Sequence, residues 1–189
     1  MKRSLYILLI LISVFCAAVC WPARSAPENG GAASSLAEQV SRELEFADGV
    51  LRSGLENEDM QMIARAHRIL SNLHVTIKGL ETPRERTLST LALGFEYVDM
   101  CPAVFFMQLE QPDNPTGFTI DCVKQSTDYF QEALSFAEKN LSPAAAADAY
   151  FIAGIGADRL KSNLYGVPGA NSETYFDLAR KYIRKAASL

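Results

Sequence analysis

The segment SPAAAADAYFIAGIGADRLKSNL, residues 142–164, reads as one helix from end to end. Ser142 can cap the first turn through its hydroxyl, and Pro143 fits the first helical position. Tyr150, Ala153, Ala157, Leu160 and Leu164 then recur at three and four residues, the spacing of one helical face. Gly154-Ile155-Gly156 faintly resembles a dinucleotide-binding loop. It lies inside a helical period with no strand before it, so that reading is rejected. Asp148 and Asp158 point to largely different sides of the helix and suggest no acid–base pair.

The same grammar runs outward from this segment. Ser35-Leu36-Ala37-Glu38 and Thr82-Pro83-Arg84-Glu85 are capping boxes. Asn57, followed by Glu58 and Asp59, is expected to open a further helix. Gly54, Gly79, Asn140 and Gly166 are expected as stops. Between them lie apolar periods, such as Ile63, Ala66, Leu70, Leu73 and Ile77. Pro102 is expected to interrupt or kink the third period. No stretch alternates with period two long enough to be a strand. The expected fold is all-α, with about six helices in three helical hairpins.

Residues 1–25 carry a separate message. Met1-Lys2-Arg3 is basic, Leu5 to Val19 is almost wholly apolar, and Ala23-Arg24-Ser25 offers small residues to a signal peptidase. This is the layout of a secretory leader cleaved after Ser25. Leu5–Trp21 is 17 residues long, against about 20 for a spanning helix. Lipidation at Cys20 would require a small residue before it, and Val19 stands there. The expected location is periplasmic or secreted, with no membrane span after cleavage. Residues 26–34, small and polar, read as a flexible linker, and residues 35–189 as a single helical domain.

Cleavage removes Lys2, Arg3 and Arg24. That leaves 164 residues with 15 basic and 22 acidic side chains, a net charge of −7. This balance argues against nucleic acid as a partner. It also leaves two cysteines, Cys101 and Cys122. In an oxidising compartment the simplest reading is a disulfide closing a loop of about 20 residues, worth about 3 kcal/mol. A redox or metal site is the alternative, although the spacing is not Cys-x-x-Cys and no histidine is near in sequence.

Catalytic signatures are missing: no His-Glu-x-x-His, no phosphate loop, no Gly-x-Ser-x-Gly. No enzyme activity, cofactor or metal is expected. His67 and His74 are separated by about 10.5 Å of helical rise, too far to share one metal. They are expected to pack beside a neighbouring helix. Glu56, Glu58 and Asp59 read as dipole compensation at a helix start. Adjacent aromatics at Phe105-Phe106, Tyr129-Phe130, Tyr150-Phe151 and Tyr175-Phe176 require helices packed on two sides, or leave one ring of a pair for a groove.

The spacing of Tyr150, Ala153-Gly154 and Ala157 resembles the first helix of a tetratricopeptide repeat. Phe176, Ala179, Ile183 and Ala186 resemble the second. Phe130, Ala133 and Ala137 match the second helix more loosely, and Leu93-Gly94 with Tyr97 resembles a first helix. Gly154 and Ala179 are 25 residues apart, about twice the family's separation. The resemblance implies a right-handed solenoid that holds a protein or peptide partner, and an irregular helical bundle is the competing architecture. In such stacks the first helix of each pair lines the inner surface. On that basis Tyr97, Tyr150 and Arg159 are expected on one concave face near the 165–171 connection, with Tyr165 beside them. A small-ligand or transport-accessory protein with an aromatic pocket is the other functional reading.

Overall fold

The computed structural model describes residues 35–110, 121–165 and 172–189. The expected leader and linker, and the 111–120 and 166–171 connections, lie outside them. The described chain is all-α, with six helices and no strand among the described residues.

Helix α1 spans Leu36–Glu56 and starts where Ser35 Oγ accepts from the Glu38 N–H at 3.3 Å. It runs through Gly54, which is buried, and closes at Asn57. Asn57 therefore ends a helix and does not open one. Its Nδ2 donates to the Ser53 carbonyl at 2.7 Å. The cap of α2 (Met60–Ile77) is Asp59, whose Oδ1 accepts from the Gln61 and Met62 amides. An aspartate carboxylate two residues further on is the stronger acceptor for the free N–H groups.

Helix α3 (Pro83–Glu110) continues through Pro102 without ending there. Helix α4 is Cys122–Asn140, capped by Asp121. Helix α5 is Pro143–Leu164, capped by Ser142, and α6 is Ser172–Ala186. The part of α3 from Pro83 to Phe105 is long and apolar enough to cross a membrane by length and composition. Half of it is buried in the domain, as a core helix packed on several sides requires.

Sequential helices pair as hairpins: α1 with α2, α3 with α4, α5 with α6. The odd-numbered helices also pack on one another, α1 on α3 and α3 on α5. Helix α2 reaches α3 and α4 reaches α5, whereas the even-numbered helices meet one another through side-chain contacts such as His74 with Glu132 and Lys185 with Glu138. The result is a continuous layer, α1–α3–α5, backed by the even-numbered helices. Ile63, Leu70, Leu73, Leu91, Leu93 and Leu160 are fully buried between them.

Candidate binding face

Helical spacing places three stripes on the odd-numbered layer. On α3, Leu88, Ala92 and Glu96 recur every four residues, with Asp99 three beyond. On α5, Phe151, Ile155 and Arg159 do the same. The two stripes meet: Arg159 Nη2 lies 2.8 Å from Asp99 Oδ1. Asn163 Nδ2 adds a hydrogen bond to the Val98 carbonyl at 3.0 Å. On α1, Asp48 and Arg52 form an ion pair at 2.9 Å and act electrostatically on both Glu96 and Asp99.

The face has an apolar end and a charged end. At the apolar end, Leu88 and Ile152 line a groove of about 220 Å³ between α3 and α5, with Arg84, Asp148 and Phe151 at its sides. Phe151 is 53% exposed and Ile155 47%. The two stand four residues apart, so they put a pair of large apolar side chains on one exposed helix face. At the charged end, each guanidinium already holds one carboxylate. Glu96 is left without an ion pair among the described residues. Burial first, then repulsion by Asp48 and Asp99, pushes its carboxyl up to about 8.

The four residues expected to bind separate. Tyr97 is completely buried and corrects the expectation. It turns away from the odd-numbered face, and its hydroxyl lies 2.6 Å from His67 Nδ1 on α2. Tyr150 is half-buried and faces the even-numbered helices. Its hydroxyl donates to Glu138 Oε1 at 2.8 Å, and its ring lies 6.0 Å from that of Tyr182. Tyr97 and Tyr150 therefore do not share a groove. Arg159 is on the odd-numbered face, and Tyr165 is exposed just past α5. Phe151, Ile155 and Glu96 are the residues that spacing does not single out. The adjacency Tyr150-Phe151 is the one available signal, and it is the phenylalanine that is free.

Both histidines pack against neighbours, as expected of boundary residues. His74 Nε2 lies 2.9 Å from Glu132 Oε2 on α4, and its ring meets Tyr129 edge-on at 4.8 Å. Tyr97 stacks obliquely on Tyr129 at 5.5 Å, with Ser71 close enough to its hydroxyl to influence it. This chain of polar aromatics joins α2, α3 and α4. Tyr97→Phe removes one hydroxyl and leaves His67 and Ser71 without it. Both are half-buried, so water replaces part of the loss. The expected cost is about 1 kcal/mol, read as a lower urea midpoint with an unchanged slope.

Cys101 and Cys122 are both free thiols and both buried, at the far end of the α3–α4 hairpin. Cys122 is the leading influence on the Cys101 thiol, which it raises. Among the described residues no three His, Cys, Asp or Glu side chains converge on a metal position. No protein-family model, curated protein or solved structure matches this chain.

Proposed function

We propose that this chain is an extracytoplasmic helical module that holds a segment of another protein on its α1–α3–α5 face and performs no chemistry of its own. The observation that carries this reading is the exposed pair Phe151 and Ile155 beside the Leu88–Ile152 groove. The occupant that matches the face is a peptide segment with a large apolar side chain followed by a lysine or arginine. The apolar group fills the groove, and the cation meets Glu96, the carboxylate with no ion-pair partner among the described residues. The groove is flanked by exposed side chains, which suits a chain segment better than an enclosed small molecule. The resemblance of the helix spacing to tetratricopeptide repeats agrees with this role.

The leader-like residues 1–25 support export. N-terminal sequencing of the chain recovered from a bacterial periplasm is expected to begin at Ala26. A retained leader or a lipidated Cys20 would contradict that part.

Selection of a random peptide-display library on the purified protein tests the face. Enriched peptides are expected to carry an aromatic or aliphatic residue with a basic residue close behind. Phe151→Glu is expected to weaken the selected peptides at least tenfold, about 1.4 kcal/mol. Its melting temperature should stay close to that of the parent, because the side chain is already exposed. Absence of enrichment, or peptides indifferent to Phe151→Glu, would overturn the reading.

A further inference from the structure

Two cysteines lie buried in the core of the domain, on helices that pack together. Cys101 is on α3 and fully buried; Cys122 is the first residue of α4 and almost so. Cys122 is near enough to be the leading influence on the Cys101 thiol, and α3 and α4 are packed along their length. The pair lies close enough to Tyr175 on α6 to perturb its phenol.

We propose that Cys101 and Cys122 are the two halves of a structural disulfide that staples α3 to α4, formed by exchange with a disulfide-bearing oxidant. One cysteine thiolate attacks a sulfur of the oxidant's disulfide, gives a mixed disulfide and expels one thiolate. The other cysteine then attacks the protein sulfur of that mixed disulfide and expels the second thiolate. The oxidant leaves as two thiols, the protein loses two protons and two electrons, and one S–S bond is formed.

The surroundings favour a staple over a reactive cysteine. Reactive thiols are exposed and have lowered proton affinity. Here the contact with Cys122, and then burial, hold the Cys101 thiol well above its usual range. The negative charges of Asp121 and Asp99 push it in the same direction. Burial also shields the finished bond from soluble reductants. Bridging helices already in contact gives a cross-link that constrains the unfolded chain without reshaping the native one.

The test is made on the full chain purified under reducing conditions and equilibrated with oxidised glutathione. The product is expected to be two hydrogens lighter by intact mass, with a Cys101–Cys122 cross-linked peptide in a non-reducing digest. Its melting temperature should rise by about 6–12 °C. The bond should persist in a roughly tenfold excess of reduced over oxidised glutathione. The double variant Cys101→Ala/Cys122→Ala, which keeps small apolar groups at both places, should melt at one temperature with or without oxidant. Two glutathionylated cysteines with no cross-link, or an oxidised form that melts no higher than the reduced one, would overturn the proposal. Neither result bears on the peptide-binding face, which carries no cysteine.

Discussion

Alanine at Gly156 is expected to destabilise the domain by about 2–3 kcal/mol, although alanine is the better helix former by about 1 kcal/mol. The reason is the ring of Phe130. Phe130 projects from α4 and is completely buried. A Cβ on Gly156 would stand 2.4 Å from its Cζ, and one on Gly94 would stand 2.4 Å from its Cε1. The ring is thus held between backbone of α3 and backbone of α5, each bare at the point of contact. Retreat from one glycine presses the ring on the other, so neither substitution is relieved by a small shift. Phe130→Ala is expected to cost about 3–5 kcal/mol through the cavity it leaves. The informative variant is Gly156→Ala with Phe130→Leu. A smaller side chain makes room for the methyl, so the pair should be less destabilised than the sum of the two changes by at least about 1 kcal/mol. Urea unfolding followed by circular dichroism measures all four proteins. A Gly156→Ala protein as stable as the parent would mean that Phe130 does not fill this slot.

What the sequence discloses of the fold is local. Ser35, Thr82-Pro83 and Ser142-Pro143 announce helix starts because caps act within one turn. The period-3.6 stripes show which side of each helix is buried. The Asn57–Asp59 boundary falls two residues from its expected place because three capping-type side chains compete there and only geometry selects Asp59. Small residues at Gly94 and Gly156 are visible in the sequence, but which ring they receive is not. Phe130 reaches them from 36 and 26 positions away in sequence. Tyr97 suits a groove by residue type alone. Its partner His67 lies 30 residues away on a helix whose approach no spacing rule fixes. Glu96 escapes notice for the same reason. A single glutamate in a helix reads as solvated, and its unusual state arises only when packing buries it and α1 brings Asp48 beside α3.

Glu96 gives the second large effect, and its sign is fixed by the direction of its shift. Burial is the leading cause, followed by repulsion from Asp48 and Asp99, and Arg52 and Arg159 offset these only in part. Asp99 is itself pushed up to about 6 by burial, despite its ion pair with Arg159. In the unfolded chain Glu96 loses its proton near its ordinary value of 4.5, whereas in the folded chain it holds the proton to about 8. Between those values the folded state binds the extra proton, so stability falls as pH rises. The stabilising protonated form is fully present below about pH 4.5 and is lost as pH climbs through 8. A glutamine in its place has no proton to lose. The Glu96→Gln protein should therefore match the parent near pH 4.5 and exceed it progressively toward pH 9. The full shift would correspond to almost 5 kcal/mol, but Glu96 is only half-buried and water screens the charge. About 2 kcal/mol is the expected gap at pH 9, read from paired urea curves. A parent that gains on Glu96→Gln as pH rises would show that Arg52 or Arg159 compensates Glu96 directly. A bound lysine or arginine at this position would neutralise the carboxylate and release its proton. The affinity of a peptide selected on the parent should then rise between pH 6 and pH 8, with the rise absent in Glu96→Gln. The stability slope and the affinity slope have opposite signs because one charge is costly when alone and favourable when paired.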